Sequence, residues 1–96
     1  MENIKISFEN LGTINKNAVY ISTDKGSINL YFSYKTLIAV NNVVSVNNWS
    51  NTTGKFLNEL EQDKSKRVKH EEVLKEVDKQ LKNVLYTEKQ LIAQNL

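Results

Sequence analysis

LYFSYKTLIAVNNVVSVNNWSNTTGKFLN, residues 30–58, holds the most strongly β-patterned run of the chain and its single tryptophan, Trp49. Here strand-like spacing also turns into helical spacing. Thr36 to Val40 and Val43 to Asn47 read as a hairpin around Asn41-Asn42, because two residues that tolerate positive φ suit a tight type I′ turn. This reading places Leu37, Ala39, Val44 and Val46 on one face, with Ile38, Val40 and Val43 on the other. Apolar residues on both faces require cover on both sides, from a helix or from a partner. After Ser50 the pattern changes. Ser50, Asn51, Thr52 and Thr53 are candidate N-caps, and Phe56, Leu57 and Leu60 follow at helical spacing, so a short helix is expected from about Thr53 to Gln62.

Towards the N-terminus, Ile4, Ile6 and Phe8 alternate with polar residues, which predicts a half-buried strand over residues 3–9. Residues 10–17, with Gly12, read as a loop. Ala18 to Thr23 and Ser27 to Tyr34 are the next two strands, joined through Asp24-Lys25-Gly26, where glycine accepts positive φ. An even loop of Lys25-Gly26 sets Ile21 opposite Leu30, Val19 opposite Phe32 and Thr23 opposite Ile28, and keeps the apolar faces together. An odd loop would mix them. The same register sets Tyr20 opposite Tyr31 on the other face.

Towards the C-terminus, Gln62 to Lys66 is polar and reads as a linker. A long helix starts near Ser65 or Lys69, with Val73, Leu74, Val77, Leu81, Val84 and Leu85 forming one apolar stripe. Glu71 with Lys75 and Asp78 with Lys82 stand four apart in the favourable acid-first order, each pair contributing ~0.3 kcal/mol. Thr87 and Gln90 have capping-box spacing, so the helix is expected to break near Tyr86 and restart over residues 87–94. The stripe serves either to cover the sheet or to pair with a second copy, and a homodimer is expected. The fold class is α+β: an antiparallel β-meander of four to five strands, then a short helix and a long C-terminal helix covering one face. Residues 1–96 form a single domain, with the meander in 1–49 and the helical part in 50–96.

The totals exclude several classes of function. A chain of 96 residues, 40% hydrophobic and 25% charged, has the size and composition of one folded domain. It has no cysteine, hence no disulfide, thiolate metal site or cysteine nucleophile. No secretory signal opens the chain and no apolar run reaches the length of a membrane span, so a cytoplasmic location and no membrane partner are expected. A net charge of +2 is too small to mark a nucleic-acid binder by itself. With a single histidine, His70, and no nucleophile elbow, neither a catalytic triad nor a metal site is expected. Glu9 and Glu59, the carboxylates closest to apolar sequence, lack an evident partner for acid–base chemistry. The chain therefore reads as no enzyme, with no cofactor.

Two basic features remain. Thr52-Thr53-Gly54-Lys55 resembles the end of a phosphate-binding loop. Trp49, however, stands where that motif needs its first glycine, and Phe56 where it needs Ser or Thr. The fragment is then a capped strand-to-helix turn, or at most a helix start whose amides and Lys55 hold one phosphate. Lys64, Lys66, Arg67, Lys69 and His70 form a basic run, either a phosphate-contact strip or a solvated segment before a helix. Tyr20 and Tyr31 could stack bases beside these lysines, or pack beneath a helix.

The wording of this stretch also resembles a family of small uncharacterised proteins of phages, archaeal viruses and other mobile elements. The resemblance rests on Phe32, Ser33, Tyr34 and Thr36, and on Val44, Ser45, Asn47, Trp49, Ser50, Thr52, Thr53, Gly54, Lys55, Leu57 and Asn58. A basic patch and a glutamate-rich helix follow in that family, as Lys66-Arg67-Val68 and His70-Glu71-Glu72 do here. Phe56 departs from a histidine at that place. The resemblance covers about a third of the chain and implies a small viral accessory protein acting in a host cytoplasm.

The expected function is thus non-enzymatic binding of nucleic acid, with Lys55, Lys64, Lys66, Arg67 and Lys69 on phosphate and Tyr20 and Tyr31 stacking. The alternatives are a module that binds and inhibits a host or defence protein, and a protein that sequesters a small nucleotide.

Overall fold

The computed structural model of the chain describes residues 3–85. A five-stranded antiparallel meander runs in the order β1 (Lys5–Asn10), β2 (Lys16–Thr23), β3 (Gly26–Ser33), β4 (Thr36–Val40) and β5 (Val43–Val44). Helix α1 (Asn51–Leu60) and, after a 3-10 turn at Lys64–Lys66, helix α2 (His70–Leu85) complete an α+β fold. The expected restart over residues 87–94 lies outside the described residues.

The two helices lie on opposite faces of the sheet. On one, α2 sets Val73 and Val84 against Ile28, Leu30 and Val40, with Val77, Leu81 and Leu85 beside them. On the other, Phe56 and Leu57 of α1 pack on Ile38, Ala39 and Val44. The short helix is therefore not on the face that the long helix covers, and the two-sided apolar pattern of β4 and β5 is met within one chain. Each fully buried side chain such as Ile28, Ile38, Leu57 or Val73 stabilises the fold by about 1.5–3 kcal/mol. The α2 stripe is used up on the sheet, apart from Leu74, which is exposed.

A bulge decides how β4 is shared between the layers. Tyr31 pairs with Ala39 but Phe32 with Leu37, so Ile38 is the extra residue. The bulge moves Leu37 onto the α2 face with Val40 and Val43, and leaves Ile38 and Ala39 together beneath α1. Strict alternation had put Leu37 with Ala39.

Turn chemistry sets the registers. The β2–β3 loop is even, as expected, but it is Asp24-Lys25, with Thr23 opposite Gly26, Ile21 opposite Ile28 and Val19 opposite Leu30. Gly26, at φ 145°, begins β3 rather than closing the loop, and a Cβ there would meet Val84 Cγ1 at 3.5 Å. Thr23 is held back at the strand end because its Oγ1 donates to the Val84 carbonyl at 2.6 Å, tying the end of α2 to the hairpin. Tyr20 consequently faces Asn29, and Tyr31 faces Ala18, so the tyrosines are diagonal neighbours rather than a direct pair. In the β4–β5 turn only Asn41 takes positive φ (52°), and its Oδ1 accepts from the Asn29 amide at 2.9 Å.

The segment read as a linker is stitched down. Asp63 Oδ1 accepts from the Ser65 amide and hydroxyl and caps the 3-10 turn. Val68 then bridges the β5 edge in parallel, its carbonyl accepting from Val46 at 2.7 Å and its amide donating to Val44 at 2.9 Å. On α2, Lys82 pairs with Asp78 as expected, whereas Lys75 reaches Glu72 rather than Glu71. β1 departs most from expectation. Every residue of it is exposed, and the described part of α2 lies chiefly across β2 to β5.

Candidate functional site

Helix α1 begins where Ser50 takes extended φ and ψ and its Oγ accepts from the Thr53 amide at 3.2 Å. The amide of Gly54 donates to the Ser50 carbonyl at 2.9 Å. The Thr53 amide, one that a phosphate at this helix start would need, is thus engaged within the chain. Asn47 explains the glycine. Its Oδ1 accepts from the Trp49 amide at 2.9 Å and its Nδ2 donates to the Ser50 carbonyl at 3.1 Å. A Cβ on Gly54 would stand 2.8 Å from that Nδ2. The TTGK fragment is a capped strand-to-helix turn with room left for Asn47.

Inside the cap, Thr53 is buried and shares a 2.7 Å hydrogen bond between hydroxyls with buried Ser33 of β3. Lys16 of β2 pairs with Glu59 and lies over the Phe56 ring, 5.9 Å from its centroid. These contacts hold α1 against the sheet, leaving Asn51, Lys55 and Asn58 on one side of the helix at spacings of four and three.

That side faces a cleft of about 550 Å³ between α1 and the chain leading away from β5. Val46, Asn47, Asn51, Gly54, Lys55, Asn58, Lys64 and Arg67 line it. Three basic side chains from α1 and the 3-10 turn region therefore converge with three carboxamides, and none of the described lining residues carries a carboxylate. Such a surface can donate hydrogen bonds and positive charge to an anion.

The expected binding residues separate into groups here. Lys55 and Lys64 line the cleft and are exposed. Arg67 lines it too, but it is buried and engaged: Nη2 donates to Asn58 Oδ1 at 2.6 Å and to the Glu61 carbonyl at 2.9 Å, and Nε to the same carbonyl at 3.1 Å. It fastens the C-terminal end of α1 to the β5 edge instead of standing free in a phosphate strip. Lys66 and Lys69 are exposed and outside the cleft. Tyr31 meets Phe56 edge-to-face at 6.5 Å, so it is a packing residue beneath α1. Tyr20 is half-buried on the same face, and desolvation, then Glu9 and Tyr31, hold its phenol above the ordinary tyrosine range. Neither tyrosine lines the cleft.

Asn47, Asn51 and Asn58 were not singled out from the sequence as site residues. The signal for two of them was present, since residues 51, 55 and 58 fall on one helical face. His70 packs edge-on to Trp49 at 5.0 Å and its Nε2 lies 2.8 Å from the Leu37 carbonyl, a structural post at the start of α2. Among the described residues no group of three or more His, Asp and Glu stands close enough to hold a metal ion. No helix among them is long and apolar enough to cross a membrane.

The profile of a family of unknown function, DUF8033, matches residues 3–76, and the chain belongs to that family. The match spans the whole sheet, α1 and the first part of α2. No curated protein and no solved structure matches the chain.

Proposed function

We infer that this DUF8033 protein is a small non-enzymatic accessory protein of a virus or mobile element, and that it binds nucleic acid through the cleft beside α1. The observation that carries the reading is the convergence of Lys55, Lys64 and Arg67 with Asn47, Asn51 and Asn58 around a space with no carboxylate among its described lining residues. Ammonium groups and carboxamide N–H donors are the groups that hold phosphate oxygens without reading bases. Exposed Lys66 and Lys69 extend the positive field past the cleft, while Arg67 supports its wall. The tyrosines are left out of the interface, since Tyr31 is packed and Tyr20 half-buried.

A binder of this kind contacts few phosphates, and its affinity falls with salt at a slope of about −0.9 per phosphate on duplex DNA. Fluorescence anisotropy with single- and double-stranded DNA and RNA tests this. Binding at low salt is expected, and the Lys55→Ala/Lys64→Ala variant should flatten the salt slope by about two phosphates' worth. A flat titration with all four probes at low salt refutes the reading.

The volume of the cleft favours a second reading. At about 550 Å³ it falls within the range of small-ligand pockets, about 300–1,000 Å³, so a free nucleotide is the alternative anion. Thermal shift against nucleotides separates the two, since a ligand at a hundred times its Kd adds about 2.7 kcal/mol.

A further inference from the structure

Strand β1 is the edge of the sheet, and among the described residues nothing covers its apolar face: Ile4, Ile6 and Phe8 point to the α2 side and are 51%, 57% and 81% exposed. The main-chain groups on that edge can be assigned. The Leu11 amide donates to the Lys16 carbonyl at 2.8 Å, continuing the β1–β2 ladder. Since hydrogen-bonded pairs alternate along an antiparallel ladder, Lys5, Ser7 and Glu9 turn their N–H and C=O towards β2. Ile4, Ile6, Phe8 and Asn10 turn theirs outward. A long apolar edge of this kind is a template for another strand.

The sequence of β1 complements itself. We propose that β1 pairs antiparallel with β1 of a second copy about a two-fold axis through Ser7, joining two meanders into one ten-stranded sheet. In this register Lys5 lies opposite Glu9 of the second copy, Ile6 opposite Phe8, and Ser7 opposite Ser7. Opposite charges directly across an antiparallel pair stabilise it, and here the pair occurs twice by symmetry. Among the described residues neither Lys5 nor Glu9 is in an ion pair within its own chain. The parity also agrees: Ile6 and Phe8 are both outward-turned, so they exchange main-chain hydrogen bonds with each other. Registers centred on Ile6 or Phe8 satisfy the main chain equally well but leave Lys5 or Glu9 opposite Ser7, so charge selects the register. The axis stands perpendicular to the sheet, which keeps both α2 helices on one side and merges the Ile6 and Phe8 patches of the two copies there. The pairing does not depend on what the cleft binds.

The absence of cysteine makes the test direct. In this register the two Ser7 residues form a non-hydrogen-bonded pair with Cα atoms about 4.5 Å apart, inside the disulfide range of about 4.4–6.8 Å. Two Lys5 residues stand four positions out of register, about 14 Å apart. Under mild oxidation Ser7→Cys is expected to give a covalent dimer and Lys5→Cys is not. Sedimentation equilibrium on the uncrosslinked full chain should show a dimer. Lys5→Glu should weaken it about tenfold and Lys5→Glu/Glu9→Lys should restore it. A full chain that stays monomeric from micromolar to submillimolar concentration overturns the proposal, whatever then covers Ile6 and Phe8. Equal crosslinking at positions 5 and 7, or a dimer indifferent to the charge reversals, overturns it as well.

Discussion

Replacing Arg67 should cost the fold far more than replacing any of the lysines around it. The side chain is 9% exposed and serves two acceptors, the Glu61 carbonyl, which takes both Nε and Nη2, and Asn58 Oδ1. Hydrogen bonds to a charged group contribute about 1.5–3 kcal/mol each, and the two donors sharing one carbonyl count once. Arg67→Ala is therefore expected to lose about 3 kcal/mol, a large share of the roughly 5–15 kcal/mol that holds a domain of this size. Arg67→Lys keeps the charge but not the fork. One ammonium cannot reach both acceptors in the same geometry, so about half of the loss remains. The assay is urea unfolding followed by Trp49 fluorescence. With a slope near 1 kcal/mol per molar urea, the Arg67→Ala midpoint should fall by roughly 2–3 M. Lys66→Ala and Lys69→Ala, both exposed, should stay within about 0.5 kcal/mol of the parent. If Arg67→Ala moves the midpoint no further than Lys66→Ala does, then Arg67 is not the clamp described, and the residue returns to the phosphate strip.

Three further outcomes follow from particular contacts. Tyr34 sits at φ 55° with 53% of its surface exposed, so Tyr34→Asn should stabilise the fold by about 0.5–1 kcal/mol in the same unfolding assay. Gly54→Ala gains about 1 kcal/mol of helix propensity but displaces Asn47; a double-mutant cycle should show it stabilising in Asn47→Ala and close to neutral in the parent. Equal effects in both backgrounds would remove Asn47 as the reason for the glycine. Tyr20 titrates above its unfolded value of 10.0, chiefly through desolvation. The folded state therefore holds its proton longer than the unfolded one, and stability should fall as pH rises past about 10. Tyr20→Phe should lose that component of the alkaline slope, as measured by unfolding free energy against pH.

Much of the fold was legible because it is written at short range. Alternation and turn residues marked all five strands, the candidate caps from Ser50 to Thr53 marked the entry to α1, and the spacing from Val73 to Leu85 marked α2. The α1 boundary missed by two residues, since Ser50 rather than a later residue caps the helix. The missed hairpin pairing has a long-range cause. Thr23 is drawn into the ladder by its bond to the end of α2, sixty-one residues away in sequence, and no turn signal reports such a bond.

The candidate site was half visible. Lys55 and Lys64 stood out by charge, and Asn51 and Asn58 share a helical face with Lys55. Which basic residues are free and which are occupied depended on where the end of α1 meets the β5 edge. That meeting turns Arg67 inward and leaves Lys66 outside.

From the sequence alone came the α+β class, the meander, the two helices and the rejection of a phosphate loop, all properties of residues within a few positions of one another. Only tertiary structure decided that α1 and α2 take opposite faces, that the Ile38 bulge divides β4 between them, and that β1 is exposed. These are set by packing between elements distant in sequence. A hydrophobic pattern states that a face wants cover; it does not state which helix is long enough, or close enough, to supply it.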